Sequence, residues 1–474
     1  MKRQRSRDEG VSRRELLAQG SVGMGGIVLA ALAAAEAMGK QGDNANPLAP
    51  RDPHFAAKAK RVILLWQQGG PPHIDTFDPK PLLASNAGKE SKEFASILGD
   101  RHKRSTRKLV PSPWKFSKRG QSGLEISDAF AKLAEHADDL CLIRGMHGDF
   151  PGHGEAALQM HTGQGIFTRP SLGAWTVYGL GTDNENLPGF VSLGAGRLSY
   201  SQSAFLPAVY TGTPVSVSSG TKAGTIRHLE NRALTRKMQR EQIDLIQQMN
   251  RDLIERTEQD AKIAGMIDNY ELAFRMQGVA PEILNYSDET EETIKLYGID
   301  NADRALGTIG AKCLVARRLV EAGVRFVEVG CQGSDPHSNL KKGYGDASRR
   351  NDQPSAALIA DLKRRGLLED TLVVCSGEFG RTHDTNDKKL DGRDHNNRAW
   401  TTWLAGGGIK GGTAYGATDE LGAAAIADKV HVHDLHATIL HLLGLDHERL
   451  TYRWSGRDFR LTNVYGNVVK DIIA

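Results

Sequence analysis

The sequence has few cysteines, and their spacing gives no sign that they pair. Only four occur in 474 residues, and no two form a Cys-x-x-Cys pair. They lie in apolar runs that look like strands or helices, so we expect buried free thiols rather than a disulfide framework. These cysteines are Cys141, Cys313, Cys331 and Cys375.

An excess of charge of one sign is also missing. The 61 basic residues nearly balance the 57 acidic ones, for a net charge of +4, which is too even for a nucleic-acid partner. A mean hydropathy of -0.42 excludes a polytopic membrane protein, and 39% hydrophobic residues exclude a wholly disordered chain. What remains is an enzyme-sized chain with an excess of glycine, 52 residues, which indicates many tight turns.

The N-terminus has the three regions of an export signal. Residues 1–37 combine a basic start, a weakly apolar run over Gly20–Ala35 and small residues at Ala35–Ala37. The segment Ser12–Leu17 resembles the twin-arginine motif, and the run is too short and glycine-rich for a membrane helix. We therefore expect export by the twin-arginine translocase to the periplasm or beyond, with no stable membrane span after processing. A disordered basic tail is the alternative.

The twin-arginine route carries folded proteins, so a cofactor can be inserted before export, which favours a metal site. Residues 38–57 are predicted to be a flexible lead-in. A single domain is predicted over 58–474, with a charged helical insertion at about 226–300 to which we assign no chemistry.

Short apolar runs alternate with helical patterns along the mature chain, most regularly in its last third. This alternation predicts an α/β fold with a largely parallel central sheet and helices on both faces. Helices are expected at Ala311–Ala322 and Pro354–Arg365. Strands are expected at Arg61–Trp66, Leu140–Ile143, Val324–Val329, Thr371–Cys375 and Thr401–Ala405.

Metal-type ligands cluster beside each predicted strand. In open α/β sheets, sites are built at the carboxyl ends of strands, and carboxylate with imidazole is the ligand mix of zinc, manganese or iron. Any one pair could equally be a loop hydrogen bond, so the recurrence is what favours a site. The residues are His73 and Asp75, then His147, Asp149 and His153, then Asp335 and His337, then Glu378, and finally Asp394 and His395.

Three segments resemble the sulfatase and alkaline-phosphatase superfamily. Ala357–Glu378 is similar to its helix, Gly-Leu turn and strand leading to an acidic metal ligand. Leu404–Gly412 resembles its glycine loop and Val432–Gly444 its closing helix. The whole mature chain, including Asp75–Lys80 and Gly377–Thr382, resembles a family of twin-arginine-exported, sulfatase-related proteins of unknown function. The resemblance implies an alkaline-phosphatase-like sandwich.

The resemblance also implies a metal site, with departures. Glu378 takes the place of an Asp-His ligand pair, but Phe379 replaces the histidine. The Asp expected after the first strand is absent, since Gln67 and Gln68 stand there. The implied cofactor is one or two divalent ions of zinc, manganese, calcium or magnesium. The implied ligands are Asp335 and His337, Glu378, His395 supported by Asp394, and His73 with Asp75 as the nearest substitutes for the missing Asp.

The nucleophile of a sulfatase is missing from this chain. His153–Gly163 ends in Thr-Gly like the segment that carries the formylglycine-forming cysteine, and His153 occupies the place of that cysteine. His153 is therefore expected to be a metal ligand, a base or a phosphorylated nucleophile, and Thr76 is an alternative nucleophile. Arg144 and Arg381 are candidates to bind the anionic ester, against a surface or ion-pair role for each.

Together these features predict an exported, metal-dependent hydrolase of phosphate or sulfate esters acting on a small molecule or glycan. One alternative is a non-catalytic envelope protein of the same fold that binds an anionic polysaccharide or a protein partner. Another is a mutase-like enzyme. The histidines near the C-terminus, His431, His433, His436 and His441, are expected to have structural roles.

Overall fold

The structure is a computed structural model, and it describes residues 46–194, 197, 200–231, 233–256 and 261–474. The predicted signal peptide, 1–37, lies outside these residues. Of the predicted lead-in, residues 46–57 lie against the domain: Leu48 is buried, its carbonyl accepts from the Thr182 amide at 3.0 Å, and the Arg51 amide donates to Leu180 at 3.0 Å.

A nine-stranded sheet is the largest sheet among the described residues. Its strands, in chain order, are β1 Arg61–Trp66, β2 Leu140–His147, β3 Phe190–Leu193, β4 Thr213–Pro214, β5 Phe326–Gly330, β6 Thr371–Ser376, β7 Trp400–Ala405, β8 Thr413–Tyr415 and β9 Val430–His431.

The strands are mostly parallel. In space they follow the order β8-β2-β7-β6-β1-β5-β3-β4, and β9 pairs with β2. Strand β1 is parallel to both β5 and β6, whereas β7 is antiparallel to β2 and β6. Strands β5 and β6 are buried along their whole length, as expected when helices cover both faces of a sheet. The α/β fold class predicted from the sequence is confirmed.

The described chain also contains α-helices. They are α1 Pro81–Ser85, α2 Ala95–Leu98, α3 His153–Thr162, α4 Leu172–Leu180, α5 Arg236–Arg256, α6 Ala261–Leu284, α7 Glu291–Tyr297, α8 Arg304–Glu321, α9 Leu340–Arg364 and α10 Val432–Leu442. No described helix is both long and apolar enough to cross a membrane.

Helix boundaries differ from the sequence pattern in two places. Helix α8 begins at Arg304, about two turns before the predicted start at Ala311, because the Asp303 side chain accepts a hydrogen bond from the Ala305 amide and caps the helix. Helix α9 runs through Pro354, which the sequence suggested as a helix start. In the predicted helical insertion, Met276 of α6 is buried whereas Met249 of α5 is 46% exposed.

All cysteines are free, and three of them are buried.

Small two-stranded ribbons lie outside the nine-stranded sheet. The ribbons pair Gly380–Arg381 with His395–Asn396, Asp384–Thr385 with Lys108–Leu109, Phe116–Arg119 with Leu124–Ser127, Ala417–Thr418 with Ala425–Ala427, and Tyr452–Trp454 with Arg457–Phe459.

Candidate functional site

The carboxyl ends of β1, β5 and β6 meet at one edge of the sheet. Trp66 at the end of β1 is paired with Gly330 of β5 and with Ser376 of β6, so the loops that follow all three strands start side by side. The loop after β5 carries Asp335, and the loop after β6 carries Glu378. This is where parallel sheets place their ligand sites.

Partly buried His153 and fully buried Glu378 form a hydrogen-bonded pair at this edge. The His153 Nδ1–H donates to Glu378 Oε1 at 2.5 Å, and the same oxygen accepts from the Gly69 amide at 2.8 Å. His153 Nε2 and Glu378 Oε2 are buried without a hydrogen-bond partner. The hydrogen bond that His153 donates to Glu378 raises the pKa of His153 above its usual value, against the effect of burial.

Asp335, His337 and His395 bring three ligand atoms face to face. His337 Nε2 lies 3.1 Å from His395 Nε2 and 3.1 Å from Asp335 Oδ1, and His395 Nε2 lies 3.4 Å from that oxygen. His153 Nε2 lies 3.2 Å from the other oxygen of Asp335. We call these four residues with Glu378 the strand-end cluster.

The outer ring nitrogens of two of these histidines are held by acceptors. The His337 Nδ1–H donates to Asp394 Oδ1 at 2.8 Å, and the His395 Nδ1–H donates to the Pro151 carbonyl at 2.8 Å. These bonds select the tautomers in which both Nε2 atoms carry a lone pair. Two lone pairs and a carboxylate oxygen then face one another, an arrangement that a cation between them would stabilise.

The strand-end cluster fits a divalent metal ion. In tetrahedral sites with bonds of about 2.0–2.1 Å, neighbouring ligand atoms lie roughly 3.3–3.4 Å apart, close to the separations among Asp335, His337 and His395. His153, Asp335 and His395 also form a group whose ligand atoms all lie within 4.8 Å of one another. Hydrogen bonds from carboxylate and carbonyl groups to the outer ring nitrogens are the usual support of metal-binding histidines.

Arg107 supports the cluster from outside, and no sequence motif singles it out. It lies in the basic stretch Arg101–Lys108, which is typical of a solvated loop. Its Nη2 donates to Asp394 Oδ2 at 2.6 Å, and its Nε donates to Asp384 Oδ1 at 2.8 Å. Burial raises the pKa of Asp394, but Arg107 and His337 outweigh burial and keep it below the usual value.

Arg381 is a positioning residue and not a substrate anchor, which corrects the expectation from the sequence. Its side chain is fully buried and bonds to Asp335 Oδ1. The remaining donors go to the carbonyls of Gly69, Gly70 and Arg393. Burial raises the pKa of Asp335, but the hydrogen bond and charge of Arg381 more than offset this and lower it.

Arg144 also lies outside the site. Its Nε donates to the Phe77 carbonyl at 2.8 Å, and its Nη2 contacts the Glu125 carbonyl at 3.4 Å. The alternative nucleophile, Thr76, is buried and donates to the Pro72 carbonyl at 3.1 Å. These hydrogen bonds of Arg144 and Thr76 go to backbone carbonyls and not to members of the strand-end cluster.

His73 and Asp75 do not join the other predicted ligands. Both Asp75 oxygens accept from Arg393, at 2.7 and 2.9 Å, and both side chains of this pair are fully buried. His73 Nε2–H donates to the Gly422 carbonyl at 2.9 Å. The guanidinium of Arg393 thus occupies both Asp75 oxygens, and these hydrogen bonds of His73 and Asp75 run to Gly422 and Arg393, which do not belong to the strand-end cluster.

Phe379 occupies the place where the resembled superfamily has a histidine ligand. Its ring centre lies 4.8 Å from that of His153 and 4.6 Å from that of His395. Gly70 is at φ +73°, and a Cβ there would lie 2.6 Å from the Phe379 ring. The phenyl ring therefore packs the two imidazoles against a glycine and supplies no ligand atom.

The chain belongs to the family described as "Protein of unknown function (DUF1501)", whose model matches residues 59–473. A search of curated protein sequences finds no match.

Among solved structures, the chain is similar to the PsFucS1 sulfatase from Pseudoalteromonas sp., with 13% identity, TM-score 0.36, and coverage of 89% of this chain and 72% of that one. It is similar to the lipoteichoic acid synthase LtaP from Listeria monocytogenes, with 11% identity, TM-score 0.37, and coverage of 88% and 77%. A mutant of the TAB5 alkaline phosphatase with bound magnesium matches at 11% identity, TM-score 0.33, and coverage of 82% and 99%.

Proposed function

We propose that the protein is an exported, metal-dependent hydrolase of phosphate or sulfate esters. The observation that carries the proposal is the facing of His337 Nε2, His395 Nε2 and Asp335 Oδ1 at 3.1–3.4 Å. The Nδ1–H groups of both histidines are hydrogen-bonded, which leaves lone pairs on the facing Nε2 atoms, and Asp335 Oδ1 also accepts from Arg381. Beside them, the His153–Glu378 pair offers a base.

Asp335, His337 and His395 would hold the metal ion. A divalent ion at these residues would supply Lewis acidity that polarises an ester oxygen. Asp394 fixes the ring of His337, and Arg381 fixes the carboxylate of Asp335. Zinc and manganese suit this mixed imidazole and carboxylate set better than calcium or magnesium, which prefer oxygen ligands.

His153 would act as the general base. In the neutral imidazole the Nδ1–H is held by Glu378, so Nε2, which faces Asp335 Oδ2 at 3.2 Å, carries the lone pair that would accept the proton of an attacking water. As the water oxygen bonds to phosphorus or sulfur, the bond to the leaving oxygen breaks. His153 would then pass this proton to the leaving alkoxide oxygen, which departs as the alcohol. The raised pKa makes this imidazole a stronger proton acceptor than an ordinary one.

The first turn of α3 would help to bind the anionic ester. Helix α3 begins at His153 and has no side-chain cap, so its first amides are free to donate to phosphate or sulfate oxygens. This role replaces the one that the sequence suggested for Arg144 and Arg381, whose donors are used within the protein.

The cellular setting is part of the proposal. Residues 1–37 support passage through the twin-arginine translocase, with the mature protein in the periplasm or secreted. A small-molecule or glycan ester from that compartment is the proposed substrate.

The direct test uses purified protein with aryl phosphates and aryl sulfates. We expect turnover that requires a divalent metal and falls sharply in His153→Ala and Asp335→Asn. A folded, metal-loaded protein that turns over neither class of ester would contradict the proposal.

A non-catalytic role is the second candidate, and Phe379 favours it. This residue supplies no ligand atom where the resembled superfamily has a histidine ligand. A protein that only binds an anionic polysaccharide or a protein partner would keep that binding in His153→Ala and Glu378→Gln. Loss of turnover in the same variants would support catalysis instead.

A further inference from the structure

A second group of potential metal ligands lies apart from the strand-end cluster. The ligand atoms of His102, His383 and Asp384 all lie within 4.8 Å of one another. His102 ends a short 3-10 turn over Asp100–His102, and Asp384 begins the ribbon strand Asp384–Thr385. Two segments far apart in sequence thus bring two imidazoles and a carboxylate together.

His383 gives the strongest evidence that this group binds an ion. It is 3% exposed, and neither of its ring nitrogens has a hydrogen-bond partner among the described residues. Its Nε2 lies 3.5 Å from Asp384 Oδ2. A buried imidazole without partners costs free energy, because its polar atoms have lost water and gained nothing in return. A bound ion would supply the missing partner.

The other two ligands are already oriented. The His102 Nδ1–H donates to the Leu98 carbonyl at 3.1 Å, which leaves its Nε2 with a lone pair. Asp384 accepts from Ser91 Oγ at 2.6 Å and from Arg107 Nε at 2.8 Å. These are the supporting bonds that metal ligands usually have, and His102 is only partly buried, which gives an ion a route from solvent.

We propose that His102, His383 and Asp384 form a second metal site, distinct from the strand-end cluster, that binds a divalent ion of the zinc type. Two imidazoles and one carboxylate leave one position of a tetrahedral site for water. The site ties the segment around His102 to the ribbon that contains Asp384.

The second site is linked to the first through Arg107. This side chain bonds to Asp384 with Nε and to Asp394 with Nη2, at 2.8 and 2.6 Å, and Asp394 in turn holds His337. An ion on Asp384 therefore fixes the group that supports a ligand of the other site. Its role is structural and does not depend on whether the protein is a hydrolase.

The test is a zinc-to-protein ratio measured on the full mature chain. Protein stripped with a chelator is loaded with Zn²⁺, freed of excess by gel filtration and analysed by mass spectrometry for zinc. We expect the ratio to be lower by one in His102→Ala than in the wild type. His136→Ala is the matched control, because this partly buried histidine also lies beside a carboxylate, Asp139, but belongs to no ligand group, and it should leave the ratio unchanged.

Failure of this proposal is distinguishable from failure of the proposed function. If the strand-end cluster binds no metal, the wild type should hold one ion and His102→Ala none, and the second site still stands. If His102→Ala and the wild type hold equal amounts of zinc, the second site is refuted whatever the first one does.

A spectroscopic measurement with two different substitutions makes the test independent of whether His102→Ala folds. In Asp335→Asn, which weakens the first site, Co²⁺ should give the visible bands of a tetrahedral site. Adding His102→Ala, at a partly exposed position, or His383→Phe, which keeps an aromatic ring in the buried space, should abolish them. Bands that persist in both double variants, with circular dichroism unchanged, would overturn the assignment.

Discussion

His153 and Glu378 are 225 residues apart in the chain, and their side chains meet at 2.5 Å. The contact joins the start of α3 to the loop after β6. It determines which imidazole nitrogen carries the proton, because a carboxylate can only accept. The unprotonated nitrogen then faces Asp335, so the pair sets both the place and the tautomer of the proposed base.

This relationship predicts a loss of activity without a loss of metal. His153→Ala removes the proton acceptor, so kcat on the best aryl ester should fall roughly 10²–10⁴-fold. Glu378→Gln weakens the hydrogen bond that orients His153, so kcat should fall less in this variant. Glu155→Gln, on the same helix turn, is the control and should retain activity. An active His153→Ala enzyme would show that another group takes the proton.

Asp394 is expected to control metal affinity through His337. Asp394→Asn removes a carboxylate that orients the ring, and loss of such a partner costs about 10–100-fold in metal affinity. The measurement is competition with a chromogenic chelator in a His102→Ala background, which isolates the strand-end cluster. Asp346→Asn, an exposed carboxylate paired with Arg349, should not change the affinity, and equal affinities in all three proteins would refute this role.

Asp75 is expected to matter for stability and not for metal binding. Asp75→Asn leaves the Arg393 charge buried without its counter-ion, which should lower the free energy of unfolding by about 3–5 kcal/mol, measured with urea. Asp370→Asn, at a partly exposed ion pair with Lys60 and Arg61, should cost about 0–1 kcal/mol. Reduced zinc content in folded Asp75→Asn would return Asp75 to the list of ligands.

His436 is expected to make the fold sensitive to acid. Burial lowers its pKa to about 3, whereas an unfolded histidine titrates near ~6.5. As the pH falls, the unfolded chain therefore binds the proton first. The contribution of neutral His436 to the free energy of unfolding is fully present above pH ~6.5 and is lost toward pH 3, at up to about 1.4 kcal/mol per pH unit.

The check is the thermal midpoint measured between pH 7 and pH 4.5. In His436→Asn it should fall less steeply with pH than in the wild type. His228→Asn, at an exposed residue whose positive φ asparagine tolerates, should follow the wild type. Parallel curves for all three proteins would mean that His436 is not the group responsible.

The ligand types could be predicted from the sequence because strand ends converge, whereas their partners could not. Asp335, His337 and Glu378 follow β5 and β6, so the α/β pattern alone places them at one edge. His395 precedes β7 and reaches the same edge because β7 runs antiparallel to β6. Asp75 follows β1 in the same way, but Arg393, 318 positions away, binds both of its oxygens. No local pattern shows such a long-range competitor.

The same limit applies to the arginines and to the sheet. Nothing in the sequence around Arg381 indicates that its guanidinium is bonded, because the carbonyls of Gly69 and Gly70 that accept from it lie far away in the chain. Arg107 lies in a basic stretch typical of a solvated loop, yet it bridges Asp384 and Asp394. The antiparallel direction of β7 was also beyond the sequence pattern, because it depends on how the chain enters the sheet after His395.

Metal-dependent ester hydrolysis is tested most directly by stripping and restoring the metal in one assay. Wild-type protein should hydrolyse an aryl phosphate or an aryl sulfate, lose that activity with a chelator and regain it with added Zn²⁺ or Mn²⁺. Asp335→Asn should remain inactive under the same addition. A wild-type protein that binds metal at the strand-end cluster and still hydrolyses neither ester would contradict the account.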